Sequence, residues 1–303
     1  MANAERPRPH PARACRSEVL GTPRAAERAS KQLDWQDVAW PVTLHPDGGG
    51  KGGIAAAPLP VVKPDSMEPA EYALMDEAED RMWWYRALHA RLFECLAGVT
   101  GRVLDAGCGT GGLLAYLRGQ RPDLVLIGLE RSGHGIRRAA AKSQAPVVCG
   151  TVNSIPFDAF CFDAAIVADV LCHGAVDPEA ALPELKRVIR PGGRLIVNMP
   201  AYPWLLSVHD RRVHNVRRQT ASQVRRMLAA AGFSQVVARY WNGLLLPLMV
   251  AQRKLFSRHD SASDVARFPP QLDSILHGVT EIERRLRVAP PAGGSVLATA
   301  IRP

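Results

Sequence analysis

The string Val103-Leu104-Asp105-Ala106-Gly107-Cys108-Gly109-Thr110-Gly111-Gly112 constrains this chain more than any other feature. An apolar strand runs straight into a turn built of glycines, and an apolar helical pattern follows. Glycine accepts the positive φ that such a turn needs and leaves no Cβ between the backbone amides and a ligand. The helix behind the turn offers unpaired N–H groups and a partial positive charge, which suit a carboxylate or a phosphate.

Downstream, short apolar runs alternate with helical stretches. The strand candidates are Arg102–Leu104, Val125–Leu129, Val147–Val148, Ala164–Ala168, Arg194–Asn198, Gln235–Tyr240 and Ser295–Ile301. Helical patterns occupy 111–119, 134–142, 178–189 and 220–231, and residues 70–98 show apolar positions at helical spacing ahead of the first strand. Such alternation predicts an α/β fold, a parallel sheet with helices on both faces. Right-handed crossovers put the strand C-terminal ends on one rim, with the ligand beside the first strand.

Two cofactors compete for the turn. Gly107, Gly109 and Gly112 satisfy the dinucleotide pattern G-x-G-x-x-G, which is a weak signal alone. Glu130, at the end of Leu126-Ile127-Gly128-Leu129-Glu130, can accept from ribose hydroxyls of either NAD or S-adenosylmethionine. Asp105 separates them. A carboxylate two residues before the first glycine repels a pyrophosphate and attracts the ammonium of a methionine moiety.

With these residues in view, the chain resembles class I S-adenosylmethionine-dependent methyltransferases, particularly the bacterial methyltransferase-11/12-like group. The resemblance rests on VLDAGCGTGG at 103–112, on Glu130, on Cys149–Phe157, on Phe162–His173 and on Arg190–Val197 with its Pro-Gly-Gly turn. It implies a Rossmann-like, seven-stranded, mostly parallel sheet with an antiparallel last strand, and S-adenosylmethionine as cofactor. The implied cofactor contacts are Asp105, Gly107, Cys108, Gly109, Gly111, Glu130, Thr151, Val152, Asn153 and Asp169, with Trp84 and Tyr85 as aromatic walls. Family members often carry Asp where this chain has Thr151, so adenine recognition would pass to Thr151, Val152 or Asn153.

Methyl transfer from a sulfonium is an in-line displacement, and its main requirement is alignment. A general base helps when the nucleophile is a hydroxyl. His173, at the rim of the fourth strand, is the first candidate; His209 with Asp210 is a second, as an imidazole–carboxylate pair. No N-P-P-Y-like tetrapeptide follows the fourth strand and no Pro-Cys dipeptide occurs, which disfavours methylation of bases in DNA. The expected acceptor is a small molecule or a lipid-linked one. RNA or protein methylation is the alternative, because 209–226 is rich in arginine; an NAD-dependent oxidoreductase and a non-catalytic cofactor-binding module come after it.

The net charge of +9 leaves nucleic acid and anionic lipid open as partners. The six cysteines form no C-x-x-C pair, so no metal site is expected. Residues 1–66 are rich in proline and glycine and lack apolar periodicity, so they read as a disordered extension. Met67 is then a candidate alternative start, and 67–303 is the methyltransferase domain. With no secretory signal and no long apolar run, a cytoplasmic protein is expected. About fifty residues separate the last two strands, far more than a usual connection. This insertion, 242–290, carries an apolar stretch at Leu244–Val250, basic residues Arg253, Lys254 and Arg258, and a second helical pattern over 272–286. It reads as a lid over the acceptor or as a peripheral membrane contact.

Overall fold

The apolar runs assemble into one seven-stranded sheet. The computed structural model describes residues 69–207, 210, 211, 213–252, 269–286 and 289–303. The extension 1–66, the start at Met67, His209 and the basic residues Arg253, Lys254 and Arg258 lie outside the described residues. The strands are β1 (Arg102–Ala106), β2 (Val125–Glu130), β3 (Val147–Cys149), β4 (Phe162–Ala168), β5 (Ile189–Pro200), β6 (Ser234–Trp241) and β7 (Ser295–Ile301), in the spatial order β3-β2-β1-β4-β5-β7-β6. The first five pair in parallel, and β7 lies antiparallel between β5 and β6.

The central strands are apolar over most of their length because both faces are covered. On one face Val103, Ala164, Ile166 and Ile196 pack against α2 (Trp83–Cys95), α3 (Gly112–Gln120) and α4 (Gly133–Ser143). On the other, Leu104, Ala165, Val167 and Leu195 meet Leu182 and Leu185 of α5 (Pro178–Val188) and Val224 and Leu228 of α6 (Ala221–Ala230). Each such fully buried leucine contributes roughly 1.5–3 kcal/mol.

Local chemistry sets the helix starts. Ser132 accepts from the His134 N–H and Asp177 from the Glu179 N–H, and Thr220 with Gln223 forms a reciprocal capping box. Pro191-Gly192-Gly193 does not make a separate reversal. It kinks the start of β5, where the register against β4 shifts and Gly192 takes φ 77°.

The single helical pattern over 70–98 becomes two helices, α1 (Pro69–Ala78) and α2. The break at Glu79–Met82 has a tertiary cause: Lys142 of α4 donates hydrogen bonds to Glu79 Oε1 (2.6 Å) and to the Asp76 carbonyl (2.9 Å). The insertion also holds two described helices, α7 (Leu246–Ala251) and α8 (Pro270–Arg285). Helix α8 is bolted to α2. Asp273 accepts from the Trp83 N–H and from Arg86, both at 2.7 Å, and Arg91 donates to the Thr280 carbonyl at 2.8 Å. Buried Glu283 accepts from the N–H groups of Asn242 (2.6 Å), Gly243 (2.7 Å) and Leu244 (3.2 Å), fixing the chain as it leaves β6. The N-terminal helices and the insertion thus form one cap over the C-terminal rim of the sheet.

Candidate active site

The rim turn begins where β1 ends. Gly107 (φ 91°) and Cys108 both donate to the Leu129 carbonyl, at 2.8 and 3.0 Å, so the turn is laced to the end of β2. Gly109 (φ 55°) donates to Glu130 Oε2 at 3.1 Å. A side chain at Gly107 would strike Val170, which is why this loop needs glycine there. Gly111 (φ 88°) does a different job: its missing Cβ lets α3 pack against Ala139 of α4, away from the cavity wall.

Between this turn and the cap lies a cavity of about 700 Å³. Asp105, Gly107, Cys108, Gly109, Glu130, Thr151, Val152, Asp169 and His173 line it from the sheet side. Trp83, Trp84, Tyr85, His89, Leu245, Met249 and Leu276 line it from the cap. Trp84 stacks on Trp241 at 6.1 Å between centroids and meets Tyr85 edge-on at 5.1 Å.

Charge in the cavity is mostly negative. Asp105 is 3% exposed and has no side-chain partner among the described residues. Burial first, then the nearby Glu79 and Glu130, push its carboxyl up to about 7. Glu130 is raised by burial, against the hydrogen bonds it accepts from Ser132, Gly109, Tyr72 and Arg131. Three of those bonds fall on Oε1, from Tyr72 (3.1 Å), Arg131 (3.0 Å) and Ser132 (2.9 Å); among the described residues Oε2 takes only Gly109 and keeps a lone pair for a further donor. Asp169, in a left-handed conformation (φ 54°), is pushed up to about 7 by burial, with Asn198 and Arg218 opposing and Asp210 adding. Both its oxygens lie 3.0 Å from Asn198 Nδ2. Asn198 is fixed in turn by Trp241, whose Nε1 donates to its Oδ1 at 2.9 Å.

Two sequence candidates are engaged by partners within the fold. Asp210, on the cavity lining, is paired with Arg218: the guanidinium reaches Oδ1 at 2.8 Å and Oδ2 at 3.0 Å, and Ser207 adds a hydroxyl at 2.9 Å. Such a saturated, buried carboxylate holds the loop after β5 in place. Asn153 faces away from the cavity, bonding the Ala175 carbonyl and the Asp177 N–H. His173 does line the cavity, and burial followed by His214 and Arg131 lowers its imidazole to about 4. That keeps it neutral at ordinary pH and makes it a weak proton acceptor. Tyr72, Glu79, Asn198 and Trp241 escaped the sequence reading, since their roles depend on partners distant in the chain.

The residues fit S-adenosylmethionine better than a dinucleotide. The unpartnered Asp105 would hold the ammonium and Glu130 Oε2 a ribose hydroxyl, with Thr151 and Val152 on the wall beyond Glu130. A pyrophosphate would need the N-terminus of α3, and Glu79 already sits there. Its carboxyl packs where a Cβ on Gly112 would go, and it is raised by burial against hydrogen bonds that include Lys142 and the Gly112 N–H.

Comparison with known proteins agrees. Residues 104–197 match the family model for a methyltransferase domain. The chain is 40% identical over 108 residues to a malonyl-[acyl-carrier protein] O-methyltransferase of Herminiimonas arsenicoxydans, covering 35% of this chain and 40% of that one. It is 31% identical over 138 residues to a ubiquinone/menaquinone biosynthesis C-methyltransferase of Syntrophotalea carbinolica, covering 43% and 56%. The chain therefore spans only about half the length of these relatives. The crystal structure of an S-adenosylmethionine-dependent methyltransferase from Thermotoga maritima shares the fold, with a TM-score of 0.50 at 20% identity over 77% of this chain and 95% of that one.

Proposed function

We propose that this chain, which belongs to the class I S-adenosylmethionine-dependent methyltransferases through its domain at 104–197, methylates a small or lipid-linked acceptor with an apolar body. The observation that carries the reading is the continuity of the cavity. One wall holds the cofactor residues Asp105, Gly109 and Glu130; the other is Trp83, Trp84, Leu245, Leu248, Met249, Leu272 and Leu276. The cofactor supplies an electrophilic methyl group on a positively charged sulfur. The chain's own work is to fix both partners at near-attack distance and to exclude water. The glycine turn and Asp105 do this on the cofactor side. On the acceptor side, Trp84 is locked by its stack on Trp241, and the cap is locked by Glu283 and Asp273. The two relatives are named for O- and C-methylation, so the acceptor atom has to be argued from the site. The test is a mass-spectrometric screen of cell extract with labelled S-adenosylmethionine. The reading expects label on small or lipid-linked molecules; label confined to RNA or protein would refute it.

A specific observation favours delivery of the acceptor from a membrane surface. Leu244, Leu248, Leu272, Ile275, Ile282 and Leu286 are all exposed on the cap, and Leu248 and Leu272 also line the cavity. Among the described residues no helix is long and apolar enough to cross a membrane. An exposed apolar rim of this kind suits resting on one. Flotation with acidic liposomes at low salt should carry the protein upward; its absence from the floated fraction would remove this reading.

A further inference from the structure

Two carboxylates on the cavity wall, the buried Asp105 and the half-buried Asp169, are bonded to no cation among the described residues. Asp105 belongs to the cofactor side and is accounted for by an ammonium there. Asp169 is not. It stands at the end of β4, with the amide of Asn198 as its only side-chain partner among the described residues, and Trp241 fixes that amide from behind. A carboxylate pinned so firmly in an apolar surround is costly unless something charged or proton-bearing meets it.

The groups around it narrow the choice. Arg218, on the loop after β5, is spent on Asp210 and on the Ala201 carbonyl. Tyr85 faces it from α2, and Cys172 and His173 lie on its own loop. His173 is held neutral by burial. Asn242, on the same rim, has a buried Oδ1 without a hydrogen-bond partner among the described residues. The acceptor side thus offers unspent hydrogen-bond acceptors and aromatic faces, while of the arginines that line the cavity Arg218 is spent on Asp210 and Arg131 follows Glu130 at the cofactor side. An anionic acceptor would be repelled there, and an ammonium would be drawn in.

We propose that the acceptor is a primary or secondary amine on an apolar body, and that Asp169 both anchors it and takes its proton. This rests on the methyltransferase reading above. The amine arrives as the ammonium and gives one proton to the Asp169 carboxylate, which frees the nitrogen lone pair. The nitrogen then forms its new N–C bond as the S–C bond of the methyl donor breaks, with that electron pair remaining on sulfur. The product leaves as a methylated ammonium, and Asp169 returns its proton to water once the cavity opens. A carboxyl pushed up to about 7 is well matched to holding that proton briefly. Asn198 acts as a positioning residue.

Calorimetric titration of the full chain, with S-adenosylhomocysteine present, tests this with three probes of one shape: octylamine, octanol and octanoate. Octylamine is expected to bind about tenfold or more tightly than octanol, with octanoate weakest. Its affinity should rise between about pH 6 and pH 8, where the probe stays cationic and Asp169 ionises. Asp169→Asn should remove both the preference and the rise. Octanol binding as tightly as octylamine, or a preference that survives Asp169→Asn, would overturn the proposal. If that variant fails to fold, the three-probe comparison on the unaltered chain decides alone. Failure to bind S-adenosylhomocysteine at all would instead defeat the methyltransferase reading.

Discussion

Asp105 should make cofactor binding depend on pH in a way that identifies the residue. Its carboxyl is buried, unpartnered and pushed up to about 7. A raised carboxyl holds its proton longer in the folded chain than in the unfolded one. Its share of stability is therefore greatest at low pH and falls as pH rises from the ordinary carboxylate range through about 7. Binding a cation reverses that preference, because only the ionised form rewards an ammonium. With a midpoint near 7, about a tenth of the molecules are ionised at pH 6 and about nine tenths at pH 8, so the apparent dissociation constant should fall by roughly tenfold over that interval. The Asp105→Asn variant should bind more weakly at pH 8, by roughly 1.5–3 kcal/mol for the lost charged hydrogen bond, and should show little change with pH. Titrating S-adenosylhomocysteine calorimetrically at several pH values measures both. A flat profile for the unaltered chain, or an undiminished slope in Asp105→Asn, would refute the assignment of the ammonium to this residue.

Three further outcomes test other parts of the account. Gly109→Val places a branched side chain at φ 55° with its Cβ within 2.9 Å of Met75, so cofactor binding should be lost for a stability cost of about 1–2 kcal/mol, read by calorimetry and thermal melting. Glu283→Ala strips three N–H groups of their acceptor and leaves Arg91 without its counter-ion; chemical denaturation should show a loss of about 3–5 kcal/mol, and a loss under about 0.5 kcal/mol would mean the cap is not anchored there. Leu245→Asp puts a charge on the acceptor wall, so turnover of the true acceptor should drop by more than about tenfold with cofactor affinity nearly unchanged; unfolding would instead make this segment core.

The sheet was legible because its central strands are buried on both faces and read as short, largely apolar runs. Val125 and Ser295 begin their strands where the sequence places them. The cofactor turn was legible for a related reason: four glycines and Asp105 lie within a few residues of one another and act through local backbone geometry. The break between α1 and α2 was hidden, because Glu79–Met82 contains neither Gly nor Pro and is set by Lys142 from a distant helix. The pairing of Asp210 with Arg218 gave no sign in sequence, because it depends on the chain folding back over the loop after β5. Asn198 and Trp241 carried no signal in sequence either. One reads as a polar end to an apolar strand and the other as an ordinary strand aromatic, until the sheet brings them beside Asp169.

The most direct test of the central claim is equilibrium binding of two ligands to the full chain. Calorimetric titration should show S-adenosylhomocysteine binding at one site per chain, weakened by roughly 1–3 kcal/mol in Glu130→Ala, and no heat from NAD. Saturable NAD binding without any response to S-adenosylhomocysteine would contradict the account, because it would require a pyrophosphate to sit beside Asp105 and Glu79.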